Sequence, residues 1–190
     1  MTNRITAIIP ARIGSKRLKG KNFMDFHGRP LAEWAILCAV KCKLIDKVIL
    51  STDKEDYNFK HPKVIIDHRD PEMCKYELHT DDIYIYLKKK YSIEGSMIVL
   101  EPTSPVRTPA MLERGIKIHL QEHKSVVSVY ESNWNPNGVY YIFEGERIYD
   151  TETIPIITPT ESGIDIDHWS QFRIAEFLFK EKGIKELLEL

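Results

Sequence analysis

The sequence predicts an α/β domain with a doubly wound, mostly parallel sheet. Three observations carry this: short β-rich apolar runs alternate with helical repeats, each early run stops at a loop, and polar residues collect in those loops. In this arrangement the ligand crevice lies at the carboxyl ends of the strands.

Ile5-Thr6-Ala7-Ile8-Ile9 reads as a buried parallel strand that ends at Pro10. Leu31, Trp34, Ala35, Leu37 and Cys38 then repeat at helical spacing, with Pro30 suited to a first turn. Lys47–Ser51 and Val64–Ile66 read as the next strands. Ile83, Tyr84 and Leu87 predict a helix over 80–90, and Met97–Leu100 a strand halting at Glu101-Pro102. Met111, Leu112, Gly115, Ile116 and His119 predict a helix over 109–122. Ser125–Val129 is followed by turn formers from Asn133 to Gly138 and a strand at 139–143. Gly163–Asp167 reads as a strand or loop, and Phe172, Ala175, Glu176, Leu178 and Phe179 place a final helix from Trp169 to about Lys182.

A chain of 190 residues with 43% apolar residues is long enough for one domain with its own core. Its 27 Lys and Arg nearly balance 28 Asp and Glu, so overall charge points to neither nucleic acid nor an acidic membrane. Cys38, Cys42 and Cys74 form no CxxC pair and have no histidine at ligand spacing, which suits buried, reduced thiols. With no apolar run near the length of a membrane span, a cytoplasmic protein is expected. His119 and His123 stand four apart on the predicted helix and are expected on a solvated face.

The loop after the first strand, residues 11–23, holds Arg12, Lys16, Arg17, Lys19 and Lys21 with two glycines and no acid. Glycine lets backbone N–H groups turn toward an anion, and the cations offset charge on a triphosphate and its departing pyrophosphate. The loop contains neither GxxxxGK[ST] nor GxGxxG, which excludes the two common phosphate-binding signatures. Near the other end, Asp165 and Asp167 alternate with Ile164 and Ile166, so an extended backbone turns both carboxylates to one side. Two hard oxygen ligands there suit Mg²⁺, which binds one or two carboxylates together with substrate phosphates. Asp53 is placed either to support this site or to cap a following helix.

Five segments, in order, resemble the sugar-acid cytidylyltransferases, and the CMP-sialic acid synthetases in particular. They are Ile8–Lys16 with Gly20-Lys21-Asn22-Phe23, Val48–Asp53, Glu101–Thr108, Pro136–Tyr141 and Ile164–Asp167 with Ala175-Glu176 behind it. The resemblance implies a Rossmann-like nucleotidyltransferase domain of the glycosyltransferase-A type spanning 1–190, acting on CTP and a sialic-acid-like sugar acid to give a CMP-sugar and pyrophosphate. It implies nucleotide contacts from Ala11, Arg12, Gly14, Ser15, Lys16, Lys21, Asn22 and Arg69, catalytic roles for Arg12, Lys21, Asp165 and Asp167, and acceptor contacts from Glu101, Thr103, Ser104 and Asn137. Mg²⁺ on Asp165 and Asp167 and a possible homodimer follow from the same likeness.

Two features depart from the family. Only Tyr130–Asn135 stand where the family carries a longer excursion that builds its dimer contact and supplies cations to the partner's sugar site. Glu101 replaces a glutamine, and a carboxylate there repels an anion but accepts from a hydroxyl or an amine. The acceptor is thus open among nonulosonates, a 3-deoxy-octulosonate and phosphorylated or phosphonate compounds. A noncatalytic nucleotide-binding relative is the competing class.

Overall fold

The computed structural model describes residues 3–15, 17–74, 80–145, 149 and 152–189. Its elements are β1 (Ile5–Pro10), β2 (Asp25–Phe26), β3 (Arg29–Pro30), α1 (Leu31–Lys41), β4 (Lys47–Thr52), β5 (Val64–His68) and α2 (Thr80–Lys90). There follow β6 (Ser96–Val99), α3 (Pro109–Glu122), β7 (Val126–Val129), β8 (Pro136–Phe143), β9 (Ile154–Ile157), α4 (Trp169–Glu181) and α5 (Ile184–Leu188). The main sheet has seven strands in the order β5-β4-β1-β6-β8-β7-β9. β1 pairs in parallel with both β4 and β6, β5 with β4, and β9 with β7. β8 runs antiparallel to β6 and β7, so β7 and β9 again point the way of β1.

β1 sits at the centre because it has no polar face to expose. Ile5, Ala7 and Ile9 pack into the larger core cluster, and Ile8 into a second cluster on the opposite face. The larger face is covered by α1, α3, α4 and α5, contributing Trp34, Leu112, Ile116, Phe172, Phe179 and Leu188, while α2 covers the other through Tyr84 and Leu87. Each such Leu, Ile or Phe stabilises the fold by ~1.5–3 kcal/mol relative to exposure. Trp34, completely buried, satisfies its indole by donating to the Phe26 carbonyl at 2.6 Å.

Local chemistry sets the ends of the elements. Thr108 caps α3, its hydroxyl accepting from the Met111 N–H at 3.4 Å, with Pro109 in the first turn. In α4, Gln171 Oε1 accepts from the backbone N–H groups of Asp167 and His168 at 2.9 and 2.8 Å, which ties the residue pair before the helix to its first turn.

The structure corrects several expectations. β9, α5 and the β2–β3 hairpin are additional elements, and β8 starts at Pro136 instead of 139. Pro30 precedes α1 as its N-cap. His119 is buried, not solvated: its Nδ1 meets the Lys124 carbonyl at 2.6 Å and its Nε2 the Ser96 hydroxyl at 2.7 Å. Cys38 and Cys42 are free and buried, and desolvation pushes the Cys38 thiol up to about 12, far from reactivity. Among the described residues, no helix is long and apolar enough to cross a membrane.

Candidate active site

The basic loop leaves β1 with its first residues fixed to the neighbouring strand. Ala11 N–H donates to the Ser51 carbonyl at 2.8 Å, one step beyond the β1–β4 ladder, and Ile13 N–H donates to Asp53 Oδ1 at 2.7 Å. Asp53 therefore caps no helix; it pins the loop. The Arg12 carbonyl accepts from Asn22 Nδ2 at 3.0 Å, joining the start of the loop to its end. Gly20 adopts φ 67°, a left-handed turn open to glycine at little cost, and delivers Lys21–Phe23 as a single 3-10 turn. Buried Leu18 anchors the middle, while Gly14 and Arg17 are exposed and Ser15 half-buried. Lys16 lies outside the described residues, as does the 75–79 stretch.

Lys21 crosses to the carboxyl-terminal segment. Its Nζ donates to the Ile166 carbonyl at 2.8 Å and to Asp167 Oδ1 at 2.6 Å, and Arg17 Nη1 reaches Asp167 Oδ2 at 2.5 Å. The Ile166 N–H in turn donates to the Thr103 carbonyl at 2.9 Å, which holds the 165–167 segment against the loop that follows β6. Ile166 is fully buried, so the alternation inferred from the sequence places the flanking aspartates on the cleft side. Asp167 is charge-compensated by two cations. Asp165 differs: its Oδ1 is buried and has no hydrogen-bond partner among the described residues.

Arg107, only 1% exposed, holds the Glu101–Arg107 loop from within: Nε donates to the Ser104 carbonyl at 2.8 Å and Nη2 to the Glu101 carbonyl. Burial lowers its pKa to about 10, which leaves it charged at neutral pH. Burial first, then the negative Asp165, raise the Glu101 pKa, with Arg107 and Lys21 opposing and Asp167 adding to the rise. Asp165, Asp167, Lys21 and Glu101 thus share one electrostatic neighbourhood.

Other expected site residues are differently employed. Arg69 is buried, its Nε and Nη2 donating to the Ser51 hydroxyl and carbonyl at 3.1 and 2.9 Å. Ser51 also donates to Asp67, which is bound by Lys90 Nζ at 2.6 Å and Tyr91 Oη at 3.0 Å. Asn137 donates to Thr158 Oγ1 at 2.7 Å and fixes the start of β8. Thr103 contributes its carbonyl, as above. Ser104 is completely buried, and its Oγ has no partner. The sequence did not single out Arg17 or Gln171; five cations share one loop, and only the fold selects those that reach Asp167.

Three hard carboxylates near the cleft suit a divalent cation chemically. Asp165 Oδ1, buried and unpartnered, is the atom that most requires one. Among the described residues, however, no group of three or more His, Cys, Asp or Glu is arranged as a metal cage.

A mostly parallel sheet whose strand-end loops join a cation turn to a pair of aspartates defines an α/β Rossmann-like nucleotidyltransferase fold. Residues 6–66 match the family model described as cytidylyltransferase. The chain is 25% identical over 229 residues to the N-acylneuraminate cytidylyltransferase of Escherichia coli O18:K1:H7, covering 98% of this chain and 55% of that one. It is 32% identical over 146 residues to the CMP-N,N'-diacetyllegionaminic acid synthase of Legionella pneumophila, covering 70% and 61%. A solved CMP:2-keto-3-deoxy-manno-octonic acid synthetase complexed with CTP shares the fold at TM-score 0.65 and 13% identity, over 94% of this chain and 99% of that one. The chain is thus similar to the cytidylyltransferases, with N-acylneuraminate and N,N'-diacetyllegionaminate enzymes among the relatives it matches. It spans between one half and two thirds of the length of those two curated relatives.

Proposed function

We propose that this chain is a cytidylyltransferase that couples CTP to a sugar acid of the nonulosonate kind, releasing pyrophosphate. The observation that carries this reading is the convergence of Lys21 and Arg17 on Asp167, beside the unpartnered oxygen of Asp165. Cations from the turn after β1 and carboxylates from the chain's last third meet at one cleft, as displacement at a phosphate requires.

Each residue then has a role. Arg12, Ser15, Arg17 and Lys21, with the backbone at Ala11 and Gly14, surround the triphosphate, which replaces Asp167 as counter-charge to Lys21 and Arg17. Asn22 is buried, with Oδ1 unpartnered, and offers an acceptor to the nucleoside. Arg69 supports the nucleotide side through Ser51. Asp165 and Asp167 would hold Mg²⁺, which supplies neutralisation of phosphate oxygens and acidification of an attacking hydroxyl. The acceptor hydroxyl attacks the α-phosphorus, its bond to the pyrophosphate oxygen breaks, and the hydroxyl proton leaves to the cleft's carboxylates or solvent. His119 is held by Ser96 and Lys124 and takes no part in this scheme.

Pyrophosphate release from CTP with Mg²⁺ and an acceptor panel tests the reading. Turnover with a nonulosonate or a 3-deoxy-octulosonate is expected, and Asp165→Ala should lower it by about a hundredfold or more while the fold is retained. Unchanged turnover in a folded Asp165→Ala protein contradicts the assignment.

A further inference from the structure

Asp67 is completely buried, a place where a carboxylate is stable only when paired and hydrogen-bonded. It stands in β5 opposite Ser51 of β4, with β4 between it and β1. Both of its oxygens are engaged. Oδ1 accepts from Lys90 Nζ at 2.6 Å and from Tyr91 Oη at 3.0 Å, where α2 ends. Lys90 also meets Tyr86 Oη at 2.9 Å. The bond to Asp67, then the one to Tyr86, raise the Lys90 pKa, so its charge is kept at every pH of interest.

The other oxygen faces the basic loop. Asp67 Oδ2 accepts from the Ser51 hydroxyl at 2.7 Å, and a serine hydroxyl has one proton to give. With that proton directed to Asp67, the lone pairs of Ser51 Oγ are turned to Arg69, whose Nε donates to them at 3.1 Å while Nη2 donates to the Ser51 carbonyl at 2.9 Å. The same carbonyl accepts from the N–H of Ala11, the first residue of the basic loop, at 2.8 Å. Cation, carboxylate, hydroxyl and cation therefore alternate from Lys90 to Arg69, each bond polarising the next. Asp67→Asn leaves a weaker, uncharged acceptor or turns an N–H toward Ser51, and the hydroxyl proton then swings toward the Arg69 N–H, where two donors oppose each other.

We propose that Asp67, charge-balanced by Lys90, is a positioning residue for the nucleotide: it sets the direction of the Ser51 hydroxyl and through it holds Arg69 against the start of the basic loop. This rests on the cytidylyltransferase reading. It makes the end of α2, far along the chain from the basic loop, part of what determines CTP affinity.

The test measures CTP affinity with Mg²⁺ by calorimetry, and unfolding in urea, for the wild-type chain, Asp67→Asn, Lys90→Met, Lys90→Arg, Ser51→Ala and the double variant Asp67→Asn/Ser51→Ala. Asp67→Asn should weaken CTP by about tenfold and Lys90→Met by about threefold or more, while Lys90→Arg stays within about twofold of the wild type. In the Ser51→Ala background, Asp67→Asn should change CTP affinity by under about twofold, because the carboxylate acts only through that hydroxyl. Unchanged CTP affinity in folded Asp67→Asn overturns the proposal, and so does the same tenfold loss in the Ser51→Ala background, which makes Asp67 a support of the fold alone. Should Asp67→Asn fail to fold, the lysine pair decides: weakened CTP binding in Lys90→Met that Lys90→Arg restores supports the relay, and equal affinity in both overturns it. A wild-type chain that binds no CTP overturns the parent reading, and this inference with it.

Discussion

Lys21 is the residue on which the two ends of the chain meet, bridging 146 positions to Asp167. It is nearly buried, so its removal leaves Asp167 with exposed Arg17 alone. Lys21→Ala should reduce pyrophosphate release by about a hundredfold or more, and a folded variant with normal release would contradict its role. Glu101 supplies a pH signature. Burial and Asp165 raise its pKa above 4.5, so the folded chain keeps a proton that the unfolded chain has lost. Stability from this group is present below about 4.5 and declines as pH rises through the folded pKa. In metal-free, nucleotide-free protein, Glu101→Gln should therefore gain melting temperature over the wild type as pH goes from 4 toward neutrality; a pH-independent difference contradicts the shift. At this scale the basic loop and the Asp165–Asp167 alternation are legible in charge type and spacing, whereas which cations reach Asp167 is set by the fold. The choice between the two roles open to Asp53 and the bond made by Asn137 are not legible, because each depends on which loop a side chain meets.

Helix α3 and strand β8 show how elements hold the cleft. Gly115 lets them meet closely: a Cβ there would lie 2.7 Å from Tyr140 Cε2, a ring without room to withdraw in the core. Gly115→Ala should cost about 1–3 kcal/mol in chemical denaturation. Arg107→Met removes two charge-assisted bonds to carbonyls of the loop after β6, so a loss of about 3 kcal/mol is expected, together with weakened acceptor binding. Strong patterns located α1, α3 and the four early strands, since apolar periods there extend over whole elements. β9, with Pro155 inside a four-residue run, and α5, five residues long, carry too little pattern to register. The β2–β3 hairpin is only two residues a side, and its turn relies on His27 and Gly28 with positive φ.

The whole molecule places a cation loop and a carboxylate pair, distant in sequence, at one end of a single sheet. That end is set by β1, which has its partners β4 and β6 in parallel on either side. The fold class followed from alternating strands and helices, but strand order did not, and which loops flank the basic loop on either side of β1 depends on that order. Tyr130–Asn135 close the β7–β8 connection within one short turn at the carboxyl end of β7, where a longer arm is expected of the family. Nucleotide choice by the basic loop, measured as the thermal shift with CTP, UTP, ATP or GTP and Mg²⁺, tests the proposed function most directly. CTP should raise the melting temperature most, corresponding to about 2.7 kcal/mol at a hundred times Kd, and Lys21→Ala should abolish the rise. Equal shifts from all four nucleotides, or an undiminished CTP shift in Lys21→Ala, would contradict it.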